Sequence, residues 1–266
     1  MKIGDLCPAA DERLLVVGKT GSGKTELIRA CLRRIRGQSA EPIIVFDSKP
    51  EWRARHWFDP RGVRRAPSAD PLADAMFLPK GVPIKQLTPG IYIYRPEYPE
   101  YADPRNDKIL LAALKRGRCT VVIDELTDFA RGSYALPSLG KVIRQGRAKK
   151  VRMLIGTQRP GAIPLIALTE ANKVACFRLQ SATDRKRMAQ WVDPAMLTLP
   201  SARHAFWFVD VGEGDVKQLE LPAPRGNEGS AGKQGRGTSD GEQSSDSAGR
   251  GGGNEPRLQE DGARGA

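Results

Sequence analysis

The chain reads as an α/β protein with a central, mostly parallel sheet flanked by helices. Two observations carry that reading. The apolar run Leu14-Leu15-Val16-Val17 breaks into a glycine-rich loop and resumes as a helix-spaced segment. Further along, several apolar runs of strand length each end in polar residues and are separated by segments of helical period. Strands that alternate with helices pair in parallel, and ligands then collect at the carboxyl ends of the strands.

The first junction, Gly18-Lys19-Thr20-Gly21-Ser22-Gly23-Lys24-Thr25-Glu26, satisfies G-x-x-x-x-G-K-T at Gly18, Gly23, Lys24 and Thr25. Gly18, Gly21 and Gly23 let backbone N–H groups approach phosphate oxygens. Lys24 can reach the β- and γ-phosphates, and the Thr25 hydroxyl suits Mg²⁺. The following helix, expected from about Thr25 to Arg36, points its positive end at the same phosphates. Residues 18–26 are therefore expected to bind ATP with Mg²⁺.

Next, the run from Pro42 to Trp52 reads as a buried strand ending in Asp47-Ser48-Lys49, a weak signal alone because strand ends are usually polar. Residues from about Arg53 to Pro89 show short strand candidates and no strong period. Gly90 to Pro96 is a clearer strand stopped by proline, followed by a surface loop. Asp103-Pro104 opens a helix with Ile109, Leu110, Ala113 and Leu114 on one face, and Gly117 ends it. Cys119-Thr120-Val121-Val122-Ile123 then runs into Asp124-Glu125. In a chain with a phosphate loop, such a strand end places Asp124 in the Mg²⁺ shell and Glu125 beside the attacking water. A helix from about Leu136 to Lys149 precedes the strand Val151 to Gly156, which ends in Thr157-Gln158-Arg159-Pro160. Ala175 to Gln180 reads as a strand, Thr183 to Trp191 as a basic helix, and Ala205 to Val211 as a strand closing near Gly212-Glu213-Gly214. Trp207 and Phe208 fit core or interface aromatics better than base-stacking platforms.

Taken together, G-K-T-G-S-G-K-T, V-F-D-S-K-P-E, V-V-I-D-E-L and R-Q-G-R-A-K-K-V-R-M-L-I-G-T-Q-R-P resemble the motor domain of the FtsK/HerA superfamily of DNA-pumping ATPases. The resemblance covers most of residues 13–210. It implies a RecA-like P-loop NTPase core, Gln158 as the polar sensor of the γ-phosphate or its water, and Arg147 as the arginine reaching a neighbouring subunit's nucleotide, with Arg144 the other candidate. It further implies a homo-oligomer, expected to be a hexameric ring, acting on double-stranded DNA without regard to sequence. No membrane anchor, winged-helix or nuclease segment is recognisable, which favours the small genome-packaging ATPases of membrane-containing tailless phages, with capsid or portal-vertex proteins as further partners. A conjugative or chromosomal translocase and a filamentous-phage assembly ATPase are the alternatives within this fold. A small-molecule kinase is a fourth reading, disfavoured by Glu125 paired with Gln158.

Composition agrees with a phosphate polymer as partner. Net charge is +12 over 266 residues. From Arg225 onward there are six basic and seven acidic residues, so the excess lies in the preceding part, at +13. That terminal stretch is Gly/Ser-rich and charged, with Leu258 its only large aliphatic residue, and is expected to be disordered. The expected division is therefore a motor domain over 1–222 and a tail over 223–266. Cys7, Cys31, Cys119 and Cys176 form no C-x-x-C pair, which suits a reducing compartment. His56 and His204 show no metal-ligand spacing. With no integral membrane segment and no signal pattern, a cytoplasmic or virion-associated protein is expected.

Overall fold

A computed structural model of the chain describes residues 3–54, 56–57, 69–78, 81–131, 134–135 and 137–221. The expected tail, 223–266, lies outside the described residues, as does much of the poorly patterned stretch after Trp57.

Ten strands form one sheet: β1 (Arg13–Val17), β2 (Ile43–Phe46), β3 (His56–Trp57), β4 (Met76–Phe77), β5 (Ile91–Tyr94), β6 (Cys119–Ile123), β9 (Val151–Thr157), β10 (Lys173–Phe177), β11 (Ala205–Asp210) and β12 (Asp215–Glu220). A separate two-stranded ribbon pairs β7 (Ala130–Arg131) with β8 (Tyr134–Ala135). The helices are α1 (Ile3–Leu6), α2 (Lys24–Gln38), α3 (Pro104–Arg116), α4 (Pro137–Gln145), α5 (Leu165–Thr169) and α6 (Ala182–Trp191). The sheet order is β12-β11-β10-β1-β9-β6-β2-β5-β4-β3, parallel from β3 to β10 and antiparallel at β11 and β12.

The central strands read as unbroken apolar runs because helices cover both faces. Leu15 and Val17 of β1 pack in one buried cluster with Leu110, Ala113, Leu139 and Val142 of α3 and α4. Leu14 and Val16 turn to the other face, against Leu27, Ile28, Cys31 and Ile35 of α2. The α2 stripe repeats at helical spacing, which is why a single face of that helix is buried. Helix α3 starts as its sequence dictates: the Asp103 carboxylate caps the Arg105 N–H and Pro104 opens the first turn. β9 can lie between β1 and β6 because Gly156 has no side chain. A Cβ there would meet the Asp124 carbonyl oxygen 2.3 Å away.

Several elements differ from the sequence reading, among them β2, which ends at Phe46 where the strand was read from Pro42 to Trp52. Helix α4 stops at Gln145, not Lys149, because the Gly146 carbonyl accepts the N–H groups of Lys149 and Val151 (2.8 Å for Val151) and turns the chain into β9. The strand after β9 runs from Lys173 to Phe177 and so starts and ends earlier than expected. β12 has no strong apolar alternation, since its Asp-Val-Lys-Gln-Leu-Glu lies at the sheet edge, and it pairs with β11 through a turn at 211–214. Phe208 is buried and Trp207 half-buried. All four cysteines are free thiols, and burial pushes those of Cys119 and Cys176 up to about 12.

Candidate active site

The phosphate loop leaves the carboxyl end of β1 and is pinned on both sides by the neighbouring strands. The Gly18 N–H donates to the Thr157 carbonyl at the end of β9 (3.2 Å), and the Lys19 N–H donates to the Arg178 carbonyl just after β10 (3.3 Å). Gly23 holds φ +110°, a backbone conformation that favours glycine. The Lys24 ammonium is nearly buried and donates to the Lys19 carbonyl across the loop at 3.2 Å. Burial lowers its pKa, and the nearby Glu125 and Asp124 carboxylates oppose that shift.

The carboxylates converge on the same place. Thr25 Oγ1 lies 3.4 Å from Asp124 Oδ1 and 3.4 Å from Glu51 Oε2. Asp124 also accepts the Trp52 indole N–H at 3.0 Å, and burial raises its pKa above the ordinary carboxylate range. Glu125, 3% exposed, accepts at Oε1 from Thr127 Oγ1 (2.7 Å) and the Gln158 N–H (3.2 Å), and at Oε2 from Lys49 Nζ (3.2 Å). The Gln158 side chain faces the loop, where Thr20 Oγ1 donates to its Oε1 at 2.7 Å.

The donors fit a magnesium nucleotide. Within the loop, Ser22 Oγ is buried and has no hydrogen-bond partner among the described residues. Two acidic side chains face the Thr25 hydroxyl. One carboxylate and one hydroxyl are the sparse protein ligands that a hydrated Mg²⁺ on phosphates requires.

The structure thus brings Gly18 to Thr25, Asp124, Glu125 and Gln158 to one edge of the sheet. Glu26 is the exception within the motif, because its side chain turns outward to pair with Arg29 at 2.6 Å. Lys19, Thr20 and Gly21 line a cleft of about 300 Å³ together with Arg178 and Arg203. Arg147 and Arg144 lie elsewhere. They precede the first residue of β9, whereas Gln158 follows its last, so the length of the strand, about 20 Å, separates them from the phosphate loop. Arg147 is exposed, and its guanidinium lies 3.8 Å from the Asp11 carboxylate, its one ion pair among the described residues.

The segment after β2 contributes more than sequence reasoning assigned to it. Ser48 Oγ donates to Asp128 (2.6 Å), Lys49 reaches Glu125, Glu51 faces Thr25 and Trp52 holds Asp124. The segment is anchored by Asp47, whose buried carboxylate accepts from Arg95 Nε at 3.0 Å, and by the second Arg95 donor on the Trp52 carbonyl. The polar Asp-Ser-Lys ending was the visible signal. Glu51 closes the V-F-D-S-K-P-E motif but was given no role there, and nothing in the pattern distinguished Trp52 from an ordinary loop residue.

No family model matches the chain. It is 27% identical over 191 residues to the DNA packaging ATPase P9 of Enterobacteria phage PRD1, covering 70% of this chain and 72% of that protein. The chain is therefore similar to a viral DNA packaging ATPase. A second relative, protein P9 of Pseudoalteromonas phage PM2, is 29% identical over 96 residues, which is 34% of this chain and 44% of that one. Among solved structures, the genome packaging NTPase B204 of Sulfolobus turreted icosahedral virus 2, in complex with ATPγS, superposes with a TM-score of 0.58 at 16% identity, over 80% of this chain and 98% of that chain. The chain shares its fold with B204, and here that fold is a mostly parallel sheet between helices, with the loop after β1 flanked by β9 and β10.

Proposed function

We propose that this chain is an ATP-hydrolysing motor that moves double-stranded DNA, packaging a viral genome. The observation that carries this reading is Glu125, a buried carboxylate held beside the Lys24 and Thr25 end of a phosphate loop in a relative of the PRD1 packaging ATPase.

The loop N–H groups and Lys24 bind and orient the triphosphate. Thr25 and Asp124 would hold Mg²⁺, which supplies charge neutralisation on the phosphate oxygens. Glu125 accepts the proton of the attacking water, and the Gln158 side chain orients that water. Arg147 lies a strand's length from its own loop, which is compatible with the role that the family resemblance implies for it, completing a neighbour's nucleotide site in a ring, hexameric in this reading.

Exposed Lys141, Arg144, Arg147, Lys149 and Lys150 give the motor phosphate-binding charge without a base-reading module. Capsid or portal-vertex proteins are the expected docking partners, in the host cytoplasm or on the virion. Among the described residues no helix is long and apolar enough to cross a membrane.

Steady-state ATP hydrolysis with and without duplex DNA tests the reading. Stimulation should be equal for unrelated duplex sequences and should fall steeply as salt rises, because phosphate contacts release counterions. Hydrolysis indifferent to DNA at low salt, or a strong preference for one duplex sequence, would contradict a packaging motor.

A further inference from the structure

Glu125 must accept a proton from water, yet both of its oxygens already have partners. Oε1 takes the Thr127 hydroxyl and the Gln158 N–H, while Oε2 takes, among the described residues, the Lys49 ammonium alone. The Oε1 partners are fixed. Thr127 belongs to the short turn that follows Glu125, and the Gln158 N–H belongs to the residue directly after a fully buried strand. Lys49 differs, since its side chain is 43% exposed on the loop after β2. A carboxylate oxygen capped by an ammonium is a poor acceptor for a water proton, so the productive base is Glu125 with Lys49 moved off Oε2.

An ammonium leaving a buried carboxylate needs a new anion within reach. The chain itself offers Asp124, which is occupied by Trp52 and faces Thr25, and Glu51, which also faces Thr25. The other anion is the terminal phosphate that Lys24 binds. Lys49 is close enough to that ammonium to add, after burial, to the lowering of its pKa.

We propose that Lys49 is a second ammonium for the terminal phosphate, passing from Glu125 Oε2 to a γ-phosphate oxygen when a triphosphate binds. This rests on the ATPase reading of the site. The transfer couples two requirements of the reaction. The γ-phosphate gains positive charge, and Oε2 becomes free. The water oxygen then bonds to phosphorus, the bond from phosphorus to the β–γ bridging oxygen breaks with its electron pair going to ADP, and the water proton goes to Oε2. ADP has no γ-phosphate, so it leaves Lys49 on Glu125 and the base capped.

The test is the affinity of the full chain for ATPγS and for ADP, each with Mg²⁺, alongside the rate of ATP hydrolysis, for the wild type, Lys49→Met and Lys49→Arg. Lys49→Met should lose about tenfold or more in ATPγS affinity, keep its ADP affinity within about twofold, and hydrolyse ATP more slowly. Lys49→Arg should restore most of the preference for ATPγS. Unchanged ADP affinity also reports an intact loop and fold. An equal loss for both nucleotides, an unchanged preference, or faster hydrolysis by Lys49→Met would overturn the role of Lys49 while leaving the ATPase reading intact. Failure of the wild type to bind ATPγS would overturn both.

Discussion

Thr20 donates its hydroxyl to Gln158 Oε1 at 2.7 Å, tying the tip of the phosphate loop to the polar end of β9. The same residue holds Glu125 with its backbone N–H. Gln158→Ala removes the side-chain contact and spares the backbone one. Hydrolysis should fall about 100-fold, the scale for loss of one positioned polar group, with ATPγS affinity within a fewfold of wild type. Wild-type turnover by this variant would remove Gln158 from the chemistry.

Arg147 and Gln158 lie at opposite ends of β9, a separation compatible with Arg147 contacting nucleotide across a subunit interface. In mixtures of Arg147→Ala with Lys24→Ala subunits, activity should return wherever an intact Arg147 faces an intact Lys24 loop, which the Arg147→Ala subunit can provide. Mixed rings of confirmed mass that never exceed the two parents would show that Arg147 does not act in trans.

Asp103 joins three structural tasks. It caps α3, accepts the Tyr94 hydroxyl at 3.0 Å and takes the Glu97 N–H at 2.8 Å. Burial opposes its ionisation, but the Arg105 guanidinium and the N–H donors override that and hold its carboxyl well below the usual range. A depressed carboxyl contributes stability above its unfolded value, about 4, and loses it as pH falls toward the folded value. Asparagine caps a helix about as well as aspartate, so Asp103→Asn should cost about 2 kcal/mol at neutral pH through the lost Arg105 ion pair and the loss of one acceptor oxygen for the Tyr94 hydroxyl and the Glu97 N–H. In urea titrations the gap to wild type should narrow below about pH 4. A gap that widens with acid would refute this account of the cap.

The parallel sheet was legible in the chain because its central strands are buried on both faces and carry no polar alternation to confuse the period. The phosphate loop and the Asp124-Glu125 ending were legible because their chemistry allows few residue types at fixed spacing. β12 was not, since an edge strand of mixed polarity looks like a loop. The stop of α4 at Gln145 was hidden as well, because Arg147 to Lys149 continue a helical composition and only the hydrogen bonds to the Gly146 carbonyl turn the chain. The contributions of Lys49, Glu51 and Trp52 depend on how Arg95, just past the end of β5, folds the segment back over the carboxylates. That long-range contact has no local signature.

Glu125→Gln tests the central assignment most directly, because it keeps the shape and the Thr127 and Gln158 neighbours while removing the basic oxygen. Single-turnover hydrolysis of ATP, measured beside ATPγS affinity, should show binding within a fewfold of wild type and turnover reduced by about 100-fold or more. Near-normal hydrolysis by Glu125→Gln would contradict the account, since another group would then be taking the proton from water.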